Sequence, residues 1–588
     1  MTLSTLIEER SGGGWLRGLA LLLAACVLAP MMAARPLETA EAVVAGAARS
    51  IMETGDFWRL SILGQPLHQQ PLYSWILASC GFASGPVWLL RLPSLAGLVG
   101  ISSLSWYVAR RAAGAFAGFI AALVVLTSAG GLLYAQQAAN DIWAAFGLFS
   151  AWAAWYHFGA ARDRWNLAWG LAIACVVVAF FAGGIQVFTV FYVPLFLLLK
   201  PVRGRDQMLW WLHPILLVAG LAFCASWLAH SLRHAEMVTW EQLVETAVAV
   251  PSRSYVQRLW QFPLRAVGLA MPWALVAWPG FCRAFRAVEK DHEQARYWRR
   301  IIGVLFVLCW LLPGVPARAL LPLLGPFAVL TALNYENLIR RHSTGLRLAL
   351  RRIEWGGLAA GGGLLAGGIL VRAGGIVVPE LETWEVNWLL IGGTTAFAVP
   401  CIALSANDRR IWLRLALLAV TAACIWQTLA MPVAALEHER PSAVAEDLTK
   451  HVPAPATIYS LRIGVAIAPV SHYIEQTQKP LDSIEELPVE EDEPYLLAGL
   501  TPPVHELFEW HPVSVPKELR SGSREIRVTW APAKGVLCRI EAERPARTPQ
   551  PGTPEARRWS RVYRGIARAL DTGRTTNGRI REERPIAW

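Results

Sequence analysis

Eight polar side chains carry the chemistry this sequence offers: Glu38, Glu41, His68, Gln69, Gln70, Arg91, Asp141 and Arg318. They cluster where apolar stretches end or begin. A carboxylate takes a proton from a hydroxyl as a general base. An arginine presents a planar fork that grips phosphate oxygens in pairs. The histidine and the glutamines can point into whatever cavity their loop covers. Each group also has a plain structural use. Asn140 or Asp141 caps the helix that follows, Arg91 and Arg318 snorkel to headgroup level, and His68 packs within its own loop. An acid at a membrane boundary is still a functional candidate by default. No Gly-rich phosphate loop, HExxH, GxSxG or Cys/His metal spacing stands out.

Several of these residues fall in one stretch, Glu38 to Trp75, which lies between long apolar runs. Ala40 to Thr54 reads as a helix, with Gly55-Asp56 as its stop. Gln65-Pro66-Leu67-His68-Gln69-Gln70-Pro71-Leu72-Tyr73-Ser74-Trp75 follows. Its prolines fix an extended entry, and its aromatic pair anchors it at the headgroup level. The stretch is too polar for lipid and too apolar for a loose loop. It reads as the first outer loop, 35–85, of a polytopic membrane enzyme.

The elements that must hold this loop are membrane helices. The chain has 588 residues, 55% hydrophobic and 16% charged, with a mean hydropathy of +0.38. Soluble domains carry about 25% charged residues. About thirteen apolar stretches are long enough to span, at 14–34, 86–109, 112–131, 141–160, 165–183, 185–200, 207–231, 263–284, 299–313, 317–338, 354–373, 387–405 and 411–431. The Gly183-Gly184 pair is a turn or a kink. With the N-terminus in the cytoplasm, Arg110-Arg111, Arg162, Arg164, Lys200, Arg203, Arg205, the 283–300 and 340–352 stretches, and Arg409, Arg410 and Arg414 fall inside. The short loops at 131–140 and 183–187 hold no Lys or Arg. This is the positive-inside pattern, and it accounts for the net charge of +11 without nucleic acid. An odd number of spans puts the C-terminal region outside. Arg91, Arg318 and the cations of the 232–262 loop then lie on the outer face against that rule, so they need a partner such as a phosphate-bearing lipid.

Residues 1–431 form the transmembrane catalytic domain in this reading, and 432–545 a small α/β domain on the outer side. Its strands are expected near 457–461, 494–498, 525–530 and 536–540, with a helix at 442–451. Residues 546–588 are a basic linker and tail. Eight of the nine cysteines lie in or beside apolar segments and read as small hydrophobes. Cys538 stands alone in the polar region, so no disulfide framework forms there.

At these residues the chain resembles the polyprenyl-phosphate-sugar-dependent membrane glycosyltransferases of GT-C type. These include the lipid A aminoarabinose transferases and the protein O-mannosyltransferases. Three features carry the match. One is the acidic helix followed by Gly55-Asp56-Phe57-Trp58 and His68-Gln69-Gln70-Pro71-Leu72 with Tyr73 and Trp75. The second is Arg91-Leu92-Pro93-Ser94 with Asp141. The third is Arg318 ahead of Leu320-Leu321-Pro322 and Pro326.

The resemblance implies about thirteen spans, an outer C-terminal domain and a bacterial inner-membrane location. It implies a sugar on a polyprenyl phosphate as donor and a lipid, glycan or protein as acceptor, with membrane lipids as neighbours and no nucleic acid. Glu41, or Glu38, is then the base on the acceptor, Asp141 orients acceptor or base, and Arg318 holds the departing phosphate. His68, Gln69, Gln70 and Arg91 line the substrate site. The family's Asp-Glu is Ala40-Glu41 here, and its Glu-Lys before the proline is Gln69-Gln70. That glutamate contributes to a zinc site in the aminoarabinose branch, so no cofactor is assigned and a divalent metal stays an open alternative. A degenerate homologue acting as a scaffold, or a transporter of lipid-linked glycan, are the rival readings. Midplane charges in broken helices and an internal repeat mark the latter, and neither is seen in the sequence.

Overall fold

The structure is a computed structural model. It describes residues 37–62, 65–67, 69–198, 211–233, 254–286, 289, 291–312, 315–374, 383–405, 417–426, 456–461, 468–474, 478–481, 495–498, 509–514 and 536–541, with isolated residues elsewhere. A few side chains within these ranges are also left undescribed. His68, the tail from 546 and nearly all of the expected first span lie outside the described residues.

The fold is mostly helical. The first loop holds α1 (Thr39–Thr54) and α2 (Leu72–Cys80), joined by an antiparallel ribbon of β1 (Ser61–Ile62) and β2 (Gln65–Pro66). Then come α3 (Val87–Ala113), α4 (Ala115–Thr127) and the short α5 (Ala129–Tyr134). α6 (Asp141–Ala154) continues through one π-helical turn, Trp155–Ala160. It is followed by α7 (Trp165–Gly183), α8 (Gln186–Leu198), α9 (Leu212–Arg233) and α10 (Ser254–Leu269). After α11 (His292–Leu311), a 3-10 segment, Ala317–Leu323, leads into α12 (Leu324–Arg372) and then α13 (Thr383–Ser405).

Among the described residues five helical stretches are long and apolar enough to cross a membrane: Val87–Ala113, Trp165–Gly183, Leu212–His230, Ala317–Tyr335 and Arg351–Arg372. Shorter apolar helices at Ala115–Thr127, Gln186–Phe196, Leu389–Leu404 and Leu417–Trp426 join them. Ile215, Val218 and Phe223 of α9 stand exposed, and an uncovered apolar face of that kind suits hydrocarbon rather than water. The interior is built on α3, α4, α6 and α7, around Ile120, Leu123, Phe149, Trp152 and Trp169.

Three expected spans differ. The stretch 263–284 is not one helix: α10 stops at Leu269, and the chain continues in short turns around Pro272 and Pro279, since proline lacks the N–H that would extend a helix. The stretches 317–338 and 354–373 merge into the 49-residue α12. Between them residues 340–352 hold arginines and leucines without a proline, and Gly345 weakens the helix without ending it.

The C-terminal region carries a five-stranded mixed sheet in the order β4-β3-β5-β7-β6. Its strands are β3 (Ile458–Leu461), β4 (Gln478–Leu481), β5 (Tyr495–Ala498), β6 (Glu509–Ser514) and β7 (Val536–Glu541). β3 runs parallel to β4 and β5, and β7 runs antiparallel to β5 and β6. Strands occupy the expected sites at 457–461, 494–498 and 536–540. The expected strand 525–530 lies outside the described residues, and of 442–451 only isolated helical residues are described. β4 and β6 are not among the strands expected from the sequence, and each contains a proline, Pro480 and Pro512. Both strands lie at sheet edges, where proline is tolerated.

Candidate functional site

The site is built on α1. The helix begins after Glu38 in an extended conformation, and the Glu38 N–H donates to Glu41 Oε2 at 3.0 Å, a reciprocal cap at the first turn. It ends at Gly55, whose φ of 72° closes the last turn in the left-handed region. Ala42, Val43, Ala45, Ala48 and Ile51 face inward, which seats the helix on α2 and the ribbon.

Glu41 faces inward as well. Arg91, in the first turns of α3, donates to it through Nε (2.8 Å to Oε1) and Nη2 (2.6 Å to Oε2). The Ala138 N–H adds a third bond to Oε1 at 2.7 Å. Arg91 Nη1 donates to the carbonyls of Met32 and Arg35, both at 2.9 Å. The side chains of Arg91 and Glu41 are 0% and 1% exposed. Burial alone would push the Glu41 carboxyl up, but the Arg91 guanidinium and the two backbone N–H groups hold it below the usual range. The expected base and the expected substrate-binding arginine are therefore a sealed pair. The pair fastens α1, α3, the lead-in to α1 and the loop before α6, and neither member has a face open to a substrate.

Glu38 lies at the same helix start but is half-exposed and paired with Arg35. With the Gln137 amide oxygen turned toward it, Arg35 also donates to Gln137 at 2.8 Å.

Asp141 and Arg318 do meet. Asp141 opens α6, and Arg318 comes from the 3-10 segment that packs on α6 and α11. Arg318 Nε lies 3.9 Å from Asp141 Oδ1, and the two side chains are 42% and 31% exposed. This is an open pair at the end of the helices where α1 sits. Tyr134, which the sequence reading passed over, lies among these groups. Burial pushes its hydroxyl up, and Asp141, Arg318, Arg265 and Arg35 all act on it. Arg265 comes from α10, which packs on α5 and the 3-10 segment. No sequence motif marks Tyr134 or Arg265, because the groups they join lie far away along the chain.

The Pro-flanked stretch is clamped beside Asp141. Asn140 donates through Nδ2 to the Gln70 carbonyl (3.0 Å) and accepts from the Tyr73 N–H (3.0 Å). The Tyr73 hydroxyl donates to the Leu90 carbonyl at 2.8 Å and accepts from Ser94. Gly184 has a φ of 73°, so its backbone calls for glycine, and a Cβ there would lie 2.9 Å from Gln70 Nε2, the flexible end of that side chain. Gln69 Nε2 is buried without a hydrogen-bond partner. Asn140 thus acts as a bridge rather than a side-chain cap. Asn140→Ala is expected to cost about 1–3 kcal/mol by breaking both bonds, read as a lowered unfolding midpoint.

The C-terminal region closes the loop from the other side. α14 (Ala468–His472) packs on α1, and Ala468 enters the apolar cluster of Leu37, Val43, Tyr73, Leu77 and Leu90. His472 Nδ1 accepts from Arg49 Nη2 at 3.4 Å, and the ring also bonds the Gly85 backbone. Burial first, then the Arg49 charge, pushes the imidazole down to about 4. The unfolded chain binds this proton near pH 6.5 and the folded chain does not. Stability is therefore whole above about 6.5, and falls as the pH drops from there toward 4. Melting temperature against pH should show this slope in the native chain and lose it in His472→Asn.

Among the described residues no group of three His, Cys, Asp or Glu side chains is placed to hold a metal ion.

No protein family matches the chain by sequence, and no curated protein does so either. Solved structures match by shape. ArnT from Cupriavidus metallidurans bound to undecaprenyl phosphate superposes with a TM-score of 0.62 at 16% identity, over 90% of this chain and 98% of that one. The apo state of the same protein gives 0.61 at 17% identity over the same shares. The chain has the fold of ArnT, a GT-C fold.

Proposed function

We propose that the chain is an integral-membrane glycosyltransferase that moves a sugar from a polyprenyl phosphate to a lipid, glycan or protein acceptor. The reaction lies at the face that carries the first loop, the periplasmic face of a bacterial inner membrane, with residues 432–545 on that side. One observation carries this reading: the open Asp141–Arg318 pair with Tyr134, Arg265 and Arg35 around it. Arginines gathered at headgroup level suit a lipid-borne phosphate. The ligand of ArnT, undecaprenyl phosphate, belongs to that chemical class.

The acceptor hydroxyl attacks the anomeric carbon, and the bond from that carbon to the phosphate oxygen breaks with its electron pair leaving on the phosphate. Arg318 and Arg265 take up that charge. The hydroxyl proton passes to Glu38, the half-exposed member of the two acids on α1, while Asp141 orients the acceptor. Glu41 and Arg91 fasten the loop that carries Glu38, and Gln69 and Gln70 line the approach.

Mass spectrometry of glycolipids and periplasmic glycoproteins, with and without the gene, tests the reading. A glycan mass that vanishes on deletion and returns with the intact gene is expected. Identical profiles would remove the proposal.

A further inference from the structure

At the far end of α6 from Asp141, arginines lie on aromatic rings. The helix and its π turn run from Asp141 to Ala160, about 30 Å at 1.5 Å per residue, the thickness of a hydrocarbon core. This cluster and the candidate site therefore face opposite leaflets. Arg110 sits over the Trp106 ring at 4.8 Å, Arg111 over Tyr107 at 5.3 Å and Arg162 over Phe158 at 5.9 Å. Tyr107 and His157 tie α3 to the π turn, with 3.3 Å from hydroxyl to Nε2 and edge-on rings 5.6 Å apart. Arg111 and Arg162 both act on His157, so they flank this bridge from two elements. The neighbouring acid, Asp163, has a φ of 56° and accepts the Trp165 indole N–H at 2.6 Å. Among the described residues no carboxylate pairs with Arg110, Arg111 or Arg162.

We propose that this cluster binds the phosphate of an anionic phospholipid in the leaflet it faces. A guanidinium stacked on a ring is held in orientation while its edge stays free for paired bonds to phosphate oxygens. Tyr107 and Trp106 stand at the level where aromatic rings meet headgroups. Charge that only sets orientation needs no such arrangement, since it acts by position alone. Here two of the arginines flank a tyrosine–histidine bridge between two elements. The proposal is independent of the transfer reaction on the opposite face.

Purified full-length protein in detergent, titrated with phosphatidylglycerol or phosphatidylcholine and read by native mass spectrometry, tests it. The native chain should retain phosphatidylglycerol in preference. The double variant R111Q/R162Q should lose about tenfold or more of that retention, with an unchanged melting temperature in lipid-free detergent. R283Q/R286Q removes the same charge from other exposed arginines and should retain the lipid. R111K/R162K keeps charge but not the fork, and should recover only part. Equal retention of the two lipids by the native chain would overturn the proposal. So would equal loss in R111Q/R162Q and R283Q/R286Q, or full recovery with lysine.

Discussion

Replacing Arg318 by Gln is expected to cut sugar transfer by about 10²–10³-fold and to leave the protein folded. The two halves of that expectation come from different observations. Arg318 is 42% exposed and its ion-pair partner, Asp141, is 3.9 Å away. Such an exposed pair contributes under about 1 kcal/mol to stability, so the melting temperature should barely move. Charge that builds on a departing phosphate, in contrast, needs a cation already in place when the bond breaks. Arg318→Lys keeps the charge without the fork and should fall between the two. Glu38→Gln is the companion variant, with about a 10²–10⁴-fold loss expected. Single-turnover rates with a polyprenyl-phosphate sugar measure both variants. Native rates in Arg318→Gln would remove the phosphate role.

Glu41→Gln is expected to destabilise the protein by about 3–5 kcal/mol, the cost of leaving a buried charge uncompensated. The sequence reading makes Glu41 a base and so expects an inactive but fully folded variant. The geometry leads elsewhere. Both carboxylate oxygens of Glu41 are held by Arg91, with backbone N–H groups adding further bonds. Glutamine leaves the Arg91 guanidinium without a counter-charge inside the protein. Combining Glu41→Gln with Arg91→Met should restore part of the loss, because the orphaned charge is then gone. Thermal unfolding of the two single variants and the double decides the matter. A Glu41→Gln protein that melts like the native chain yet transfers no sugar would return the base to Glu41.

Local features of this fold were readable in the chain. Gly55 stops α1 because a left-handed turn needs it, and α3 and α4 lie at the expected 86–109 and 112–131. The pairing of Asp141 with Arg318 joined two expected site residues. The sealing of Glu41 was not readable. Arg91 lies 50 residues away, and nothing in either segment shows which acid the arginine meets. Arg265 was hidden in the same way, within an expected span that turned out to end at Leu269 and leave it on an amphipathic helix. Tyr134 closes a short helix that reads from sequence as part of a short loop without Lys or Arg. Long-range contacts are set by packing of the whole chain, and a single sequence carries no local mark of them.

Ala468 fills a gap in a cluster otherwise made by residues 37 to 138. A ribosome adds that alanine only after residue 467, so this outer layer cannot finish folding before then. Prematurely terminated chains would present it with an open seam.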